Sequence, residues 1–146
     1  APDAAMSRSL EQARQVLTAQ PFSALLGTEL TQYGPELIEL RLAITDQVKQ
    51  QHGFVHGGVV SYLADNALTY AGGAALGPAV VTSEYKINYV RPALGAALVA
   101  RATVAHAGRS QAVCRCDVFA VAADGSEKLC AVAQGTIALM GAPKPE

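Results

Sequence analysis

One long apolar segment, at residues 57–75, limits what this chain can fold into. It starts at His56-Gly57-Gly58, and Gly77-Pro78 marks its end as a helix. Gly and Ala dominate the segment, and such small residues allow a sheet to pack closely against a helix. A single carboxylate, Asp65, lies in its middle, and burying a charge without a partner is costly. The segment therefore predicts a buried central helix that carries a functional acid.

The rest of the chain reads as one further helix and six strands. Residues 7–19 have the apolar spacing of an amphipathic helix that Ser7 or Ser9 caps, and residues 22–26 are expected to form a short apolar turn. Asp124-Gly125 between two apolar runs is typical of a hairpin. One apolar helix among antiparallel strands favours an α+β fold in which a curved six-stranded sheet wraps around that helix. The predicted strands are residues 28–33, 36–44, 80–90, 95–107, 110–122 and 127–140.

The composition fits one globular domain over residues 1–146. Residues 1–6 are expected to be disordered or foreign to the natural chain, because Met6 would serve as a start. Hydrophobic residues make up 51% of the chain and charged residues 16%, which argues against intrinsic disorder and is compatible with apolar surface hidden in an oligomer. The net charge of -1 gives no support for binding to nucleic acid or to an acidic membrane.

The three cysteines, Cys114, Cys116 and Cys130, indicate the redox compartment. An odd count gives no disulfide framework, and three thiols are too few for a four-cysteine zinc site. Buried free thiols suit a reducing compartment, and the N-terminus lacks the pattern of a signal peptide, so we expect a cytoplasmic protein. No apolar run approaches the roughly 20 residues of a membrane span without a polar interruption.

The start of the predicted helix is a candidate site for a carbonyl oxygen or an oxyanion. The first N–H groups of a helix lack internal partners, and the glycines at 57 and 58 let a ligand approach them; a plain glycine-rich helix start is the alternative. Gln50 is placed to orient a carbonyl or a water, and His56 to polarise a carbonyl or to support the turn. His52 and His56 also have the spacing of a metal-binding pair, but no third ligand stands near them, so a site without metal is expected.

Asp65 and Thr69 lie on one face of the helix, because they are four residues apart. A carboxylate beside a hydroxyl can activate a water or attack a carbonyl directly. The apolar neighbours argue against the alternative, an exposed Asp on an amphipathic helix. Gly57 and Asp65 are about 12 Å apart along a helix, so both cannot touch one carbonyl within a single chain. A second, antiparallel copy of the helix in a two-fold dimer would complete two equivalent sites.

Basic residues are concentrated between residues 86 and 115, a region without acidic residues. Arg91 and Arg109 fall at strand ends, where arginine can bind a phosphate through two hydrogen bonds. Arg101 and Arg115 alternate within strands and are expected to be solvated charges on outward faces. No phosphate-binding loop and no GxGxxG pattern occurs, so the sequence gives no support for nucleotide hydrolysis or dinucleotide binding.

Three motifs carry a resemblance to a known family: His56-Gly57-Gly58, Leu63-Ala64-Asp65 with Ala67, and Ile87-Asn88-Tyr89-Val90-Arg91-Pro92. With them the sequence, over about residues 36–140, resembles the hotdog-fold acyl-CoA thioesterases of the phenylacetate-degradation (PaaI) type. The resemblance implies the hotdog fold, dimers that often pair into tetramers, and active sites at the dimer interface. It also implies hydrolysis of an acyl-CoA to a free acid and coenzyme A without a cofactor, and we expect an aromatic or medium-chain acyl group.

The resemblance also implies roles for individual residues. Asp65 would be the nucleophile or general base, and the Gly57 N–H would polarise the thioester carbonyl with support from His56. Gln50 stands where many members carry Asn and related branches carry Gln, and Thr69 matches a Ser or Thr near the attacking water. Thr82 or Ser83 would line the acyl pocket or place the water, and the two loop arginines would meet the phosphates of coenzyme A. The expected substrate contacts are thus Asn66, Thr82 or Ser83, Arg91 and Arg109.

Two other functions are compatible with the same fold. A non-catalytic acyl-CoA sensor would bind without turnover, and the presence of Asp65 and Thr69 argues against it. A hydratase or dehydratase acting on an enoyl thioester needs a well-placed His with the acid; His56 fits this role less well, because its glycine context points to carbonyl polarisation.

Overall fold

The computed structural model describes residues 9–141, and the prediction for residues 1–6 lies outside this range. The predicted α+β fold is confirmed: six antiparallel strands form one sheet that packs against one long central helix. The elements in chain order are α1 (Leu10–Thr18), α2 (Pro21–Leu26), β1 (Glu29–Tyr33), β2 (Ile38–Ala43), a 3-10 turn (Asp46–Val48), α3 (Gly57–Leu76), β3 (Val80–Tyr89), β4 (Ala97–Ala107), β5 (Gln111–Val121) and β6 (Glu127–Leu139).

The core lies between α3 and the sheet, whose strand order is β1-β2-β4-β5-β6-β3. Leu63 and Leu68 of α3 are fully buried, as are Leu40 and Leu98 of the sheet. The approach is closest at Gly72, where a Cβ atom would lie only 2.4 Å from Cβ of a β6 residue, Ile137. The small residues of α3 therefore have a packing role, because a larger side chain at this point would push helix and sheet apart.

The first helix, α1, begins at Ser9, which is one of the two predicted caps; Ser7 lies outside the described residues. The Ser9 hydroxyl accepts a hydrogen bond from the Gln12 N–H, and the Gln12 side chain accepts one from the Ser9 N–H. This reciprocal pair is a capping box, which satisfies two donors that the helix itself leaves unpaired. Ala13 and Leu17 are the buried face of α1 and join the core.

The prediction of a turn at residues 22–26 was wrong, since the segment forms the short helix α2. Pro21, which prevents the continuation of α1, is the first residue of α2, and the fixed φ angle of proline suits that position. Gly27 then ends α2 with φ 71°, a left-handed conformation that favours glycine.

The strand β3 forms one edge of the sheet and pairs only with β6 among the described strands. Thr82 is opposite Ile137 and Glu84 is opposite Thr136, so Ser83 is an extra residue in a β-bulge. The bulge changes which residues face α3: Thr82 does so before it, and Tyr85 does so after it.

Arg101 lies on the outer face of the sheet, but the prediction that it is a solvated charge was wrong. Its Nε is 2.8 Å from Oε2 of Glu39, its Nη1 is 2.7 Å from Oε1 of Glu127, and it stacks over the Phe119 ring. The hydrogen bonds from Arg101 lower the pKa of Glu127. Arg115 is exposed and donates to the Gln134 side chain.

In the described part of the chain, no helix combines the length and the hydropathy that crossing a membrane requires.

Candidate active site

One stripe of α3 faces the edge strand β3 along most of its length. Residues four apart on a helix share a face, which places Gly57, Ser61, Asp65 and Thr69 in this stripe. The facing side chains of β3 are those of Thr82, Tyr85 and Tyr89. Helix and strand run in opposite directions, so the start of α3 lies beside the end of β3. The predicted catalytic residues of α3 therefore lie against the open edge of the sheet.

Asp65 is held at the centre of this stripe by two threonines. The Thr82 hydroxyl donates a hydrogen bond to Oδ1 of Asp65 at 2.6 Å, and the Thr69 hydroxyl donates to the Asp65 backbone oxygen at 2.8 Å. The two hydroxyls are themselves 3.0 Å apart. Asp65 is half-buried, and among the described residues no hydrogen bond is made to its second oxygen, Oδ2. One carboxylate oxygen is thus fixed while the other remains able to accept a proton or attack a carbon.

The start of α3 carries the second part of the site. His56 is the cap of the helix, and its Nδ1 accepts a hydrogen bond from the Gly58 N–H at 2.9 Å. Because Nδ1 is an acceptor, the neutral ring carries its proton on Nε2. The Gly57 N–H makes no hydrogen bond within residues 9–141. The Gly57 oxygen accepts a hydrogen bond of 2.9 Å from the Tyr89 hydroxyl, which fixes the first turn to the end of β3.

A cleft of about 380 Å³ opens beside this helix start. The Gln50 side-chain oxygen accepts a hydrogen bond from the His52 N–H, which orients the Gln50 amide. Arg91 is exposed and makes one long hydrogen bond, 3.4 Å from Nη1 to the Leu129 oxygen. A guanidinium in this position can meet an anionic group that enters the cleft. The lining residues include Gln50, Phe54, Gly57, Tyr89, Arg91 and Cys130.

Cys130 lines this cleft, but its chemistry does not suit a nucleophile. It is 1% exposed, and burial raises the pKa of its thiol to about 11. The thiolate is the reactive form of cysteine, and it is a minor species at neutral pH with such a pKa. Across the described residues, no three His, Cys, Asp or Glu side chains come together as metal ligands would.

The structure divides the candidate residues into two groups. Gln50, His56, Gly57 and Arg91 surround the helix start, whereas Asp65, Thr69 and Thr82 lie further along α3. The distance between the groups is about 12 Å, from the rise of an α-helix over eight residues.

Three further candidates lie apart from Asp65's carboxylate. Ser83 is exposed in the bulge, and Arg109 is exposed in the turn between β4 and β5. Arg91 and Arg109 lie near opposite ends of β6. The Arg91 N–H donates to the Cys130 oxygen near the start of that strand, and the Leu139 N–H at its end donates to the oxygen of Ser110, the neighbour of Arg109. That strand length corresponds to about 30 Å, too far for one phosphate to reach both arginines of one chain. The Asn66 amide points instead towards α2, with Nδ2 3.4 Å from the Ser23 hydroxyl.

Sequence reasoning missed the two tyrosines that support the site. Tyr89 bonds to Gly57, and the Tyr85 hydroxyl is 2.5 Å from the Ser61 hydroxyl. Tyr89 belongs to a motif that carries the family resemblance, and this was an available signal. Tyr85 had none, because its orientation depends on the bulge at Ser83.

The chain is similar in sequence and in fold to known proteins. The sequence pattern of the thioesterase superfamily matches residues 52–123. A Haemophilus influenzae protein named "Putative esterase" is 31% identical over 117 residues, which cover 79% of this chain and 82% of that protein.

Solved structures show the same similarity. A thioesterase family protein from Silicibacter pomeroyi is 34% identical, with a TM-score of 0.84 over 91% of this chain and 100% of that one. The PaaI protein of E. coli is 25% identical, with a TM-score of 0.78 over 93% of this chain and 96% of that one. The chain therefore belongs to the thioesterase superfamily and is a thioester hydrolase.

Proposed function

We propose that the protein hydrolyses an acyl-CoA thioester to a free acid and coenzyme A, with Asp65 as the reacting acid. The observation that carries the proposal is the hydrogen bonding of the Asp65 carboxylate. Its Oδ1 accepts a hydrogen bond from Thr82, and among the described residues its Oδ2 accepts none. An acid oriented in this way can act as a general base towards water, or attack the thioester carbon directly.

The helix start supplies the complementary group. The Gly57 N–H points out of the first turn without a partner in the described chain, and the helix dipole adds partial positive charge there. A thioester oxygen bound to this N–H gains negative charge as the carbon is attacked, so the hydrogen bond strengthens in the transition state. His56 holds the turn in place, and the carbon–sulfur bond then breaks to release the thiolate of coenzyme A, which takes up a proton.

Two copies of the chain are needed to complete such a site, because Asp65 and Gly57 of one chain are about 12 Å apart. We propose a two-fold dimer in which two β3 strands pair antiparallel. The open edge of β3 offers unpaired backbone groups, and Val81 and Tyr89 are 47% and 54% exposed there. Such pairing would set Thr82 opposite the end of the partner strand, and so bring Asp65 to the partner subunit's Gly57. We also propose that two such dimers associate into a tetramer, as the family resemblance implies.

The proposed substrate is an aromatic or medium-chain acyl-CoA. The E. coli relative is described as coming from the phenylacetic acid degradation operon, which favours an aromatic acid for that protein and, by extension, for this one.

Arg91 at the cleft would bind a phosphate of coenzyme A, and Gln50 would orient the carbonyl or the water. Arg109 could serve the same ligand only from another subunit, because of its distance from Arg91. The three free thiols favour the reducing cytoplasm as the place of the reaction.

The substitution Asp65→Asn tests the proposal, because it keeps the shape of the side chain and removes its charge. We expect kcat for thiol release from acyl-CoA substrates to fall on the order of 10²-fold or more, as is typical when an acid–base group is removed. Asp46→Asn, which makes the same change on an exposed side chain that pairs with Lys49 and lies outside the proposed site, is the matched control and should keep the wild-type rate. Following enoyl absorbance in the same samples would reveal a hydratase, and binding without thiol release would reveal a sensor. Wild-type turnover by Asp65→Asn would overturn the assignment.

A further inference from the structure

Ser61 lies midway between the two groups of the proposed site. It is four residues after Gly57 and four residues before Asp65, so all three share the stripe of α3 that faces β3. The rise of an α-helix places Ser61 about 6 Å along the helix from each of them. The Ser61 hydroxyl is 2.5 Å from the hydroxyl of Tyr85 on β3. The proposed hydrolysis uses neither of these two hydroxyls.

The hydroxyls of Ser61 and Tyr85 do not satisfy each other. Each is a donor as well as an acceptor, and the pair shares one hydrogen bond in which either can be the donor. One O–H group of the pair therefore has no acceptor among residues 9–141. Both side chains are half-buried, and an unpaired donor in such a place costs free energy once water is excluded. The pair is thus incomplete within one chain.

Two-fold symmetry brings a second copy of this pair to the same place. In the proposed dimer Asp65 of one chain faces the partner subunit's Gly57, so Ser61, which lies midway between those positions, faces the partner subunit's Ser61 on the axis. The strand gives the same midpoint. The proposed pairing sets residue 82 opposite the end of the partner strand, and Tyr85 lies in the middle of residues 82–89. Both elements therefore place the hydroxyl pair at the axis.

We propose that Ser61 and Tyr85 of the two chains meet on this axis, where their four hydroxyls close a ring of hydrogen bonds that sets the register of the dimer. The inference rests on the proposed hydrolysis and on the proposed dimer, and it adds the contact that aligns the two chains. In such a ring each hydroxyl donates once and accepts once, so no donor remains unpaired. Hydrogen bonds arranged in this way also polarise and strengthen one another.

The backbone of two paired edge strands does not choose the register by itself. A slide of two residues keeps the same side chains on the same face and the same pattern of ladder hydrogen bonds. Side chains at the axis must therefore distinguish the correct register from its neighbours. After a slide of two residues the hydroxyls of Ser61 and Tyr85 would no longer meet their counterparts, and the unpaired donors would remain.

The ring would lie between the two active sites and determine the alignment of both. A slide of one helix past the other would separate the Asp65 carboxylate of each chain from the N–H of the partner subunit's Gly57. A displacement of about 1 Å at a reacting group can lower a rate on the order of 10²-fold. In this arrangement Ser61 and Tyr85 are positioning residues, which act through the alignment of the two helices and not on the substrate.

A single cysteine tests the position of the axis. Ser61→Cys places a thiol there, and facing residues of helices that pack about 8–10 Å apart are within reach of a disulfide. Mild oxidation or a short bismaleimide should convert most of the chains into covalent dimers on a denaturing gel. Thr69→Cys, on the same face, should give no covalent dimer, because its two copies would lie about 24 Å apart along the helices. The three native thiols are buried, so the wild-type protein gives the background.

Tyr85→Phe tests the role of the ring, since it keeps the aromatic side chain and removes the hydroxyl. Assayed at concentrations where the dimer is intact, it should lower kcat about tenfold and keep KM within about twofold, because the cleft residues are unchanged. It should also speed the exchange of subunits between tagged and untagged dimers at least about tenfold, since hydrogen bonds between chains are lost. A hydrogen bond confined to one chain would leave the exchange rate unchanged.

Ser61→Ala removes the other hydroxyl of the ring. Its effects on kcat and on subunit exchange should match those of Tyr85→Phe. The double variant should be within about twofold of either single variant, because each change already opens the ring, whereas independent roles would multiply the two losses. Ser126→Ala, the same change in the exposed hairpin between β5 and β6, is the control and should keep the wild-type kcat and exchange rate.

The outcomes separate this inference from the function on which it rests. If the wild-type protein releases thiol, absence of a cross-link in Ser61→Cys overturns the inference alone. Wild-type kcat or wild-type subunit exchange in Tyr85→Phe, or a loss confined to KM, also overturns it alone. No thiol release by the wild-type protein from any acyl-CoA overturns the proposed hydrolysis, and the positioning role with it, even where the cross-link forms.

Discussion

The Thr82 hydroxyl donates a 2.6 Å hydrogen bond to Oδ1 of Asp65, and this bond joins the central helix to the edge strand at the acid that we propose to react. A hydrogen bond to a charged oxygen is strong and directional, so it fixes the rotation of the carboxylate. The free oxygen, Oδ2, is then held in one direction, which the proposed attack on a thioester would require. In the proposed mechanism Thr82 is therefore a positioning residue, which would act through Asp65 rather than on the substrate.

Thr82→Val, which replaces the hydroxyl by a methyl group of similar size, should lower kcat about 10- to 100-fold with little change in KM. The reason is that a misplaced acid reduces the fraction of well-aligned encounters, whereas the coenzyme A contacts are untouched. Steady-state thiol release measures both parameters. Thr82→Ser restores the donor and should recover kcat to within about threefold of wild type. A loss confined to KM, or no rescue by serine, would show that Thr82 has only a structural or binding role.

Gly57 allows a backbone N–H to be removed by mutation. It is the first residue of α3, a position that accepts proline, and His56 before it has φ -57° and ψ 132°, which a residue preceding proline also accepts. Gly57→Pro should therefore fold and lose the N–H that we propose to polarise the thioester, with kcat reduced on the order of 10²-fold. Gly57→Ala keeps the N–H, and its Cβ would lie 3.5 Å from the Tyr89 ring, an ordinary contact, so it should remain active. Equal activity of the two variants would contradict a role for this amide.

Mixing two inactive variants tests whether the site is shared between chains. In a heterodimer of Gly57→Pro and Asp65→Asn, one shared site contains both changes and the other contains neither. Random pairing after co-expression should make about half of the dimers heterodimers, and each heterodimer has one of its two sites intact. About a quarter of the wild-type activity should therefore return. If each chain contained a complete site, no activity would return. Size-exclusion chromatography with light scattering confirms that the variants still associate.

The sequence predicted the framework better than the site because the framework follows from local patterns. The helix was predicted at residues 57–75 and is found at Gly57–Leu76, since apolar runs and glycine breaks determine helix ends. The choice between Thr82 and Ser83 could not be made from the sequence. Strict alternation fails at the bulge, and a bulge depends on the pairing with β6 rather than on any residue of β3.

A second cavity, of about 150 Å³, lies beside Thr69, and it lay outside sequence reasoning for a different reason. Gln20, Tyr33 and Asn66 are far apart in the chain and meet only when α1 and β1 pack against α3. No periodic pattern marks such a meeting, because the pattern reports which face is buried but not what it is buried against.

The adjacent glycines Gly72 and Gly73 should respond to alanine in opposite ways. A Cβ at Gly72 would lie 2.4 Å from Cβ of Ile137, so Gly72→Ala forces helix and sheet apart and should lower the free energy of unfolding by about 1–3 kcal/mol. A Cβ at Gly73 would lie 3.6 Å from the Val80 side chain, an ordinary contact. Gly73→Ala should raise the free energy of unfolding by about 0.5–1 kcal/mol, because alanine has the higher helix propensity. Urea denaturation followed by circular dichroism measures the free energy of unfolding of both variants. Equal changes in the two variants would contradict the close approach of α3 to Ile137 at Gly72.

The buried thiols should make the protein less stable in alkali. Burial raises the pKa of Cys114 to about 11 from an ordinary 9.0, and burial and the neighbouring Asp117 raise that of Cys116 to about 12. Between pH 9 and the higher values the unfolded chain loses these protons while the folded chain keeps them, so the free energy of unfolding falls as the pH rises. From pH 8 to pH 10 the contribution of Cys114 should be a loss of about 1 kcal/mol.

Cys114→Ala isolates that contribution, since lysine and tyrosine titrate alike in variant and wild type. Urea denaturation under reducing conditions at pH 8 and pH 10 should show that the variant, although less stable at pH 8 because of the lost side-chain volume, loses about 1 kcal/mol less between the two pH values. The native protein at pH 8 should also react slowly with a thiol reagent, and quickly once unfolded, because burial both blocks access and keeps the thiols protonated. Identical pH dependence in variant and wild type would mean that Cys114 ionises as readily in the folded chain as in the unfolded one, and that the core around β5 admits water.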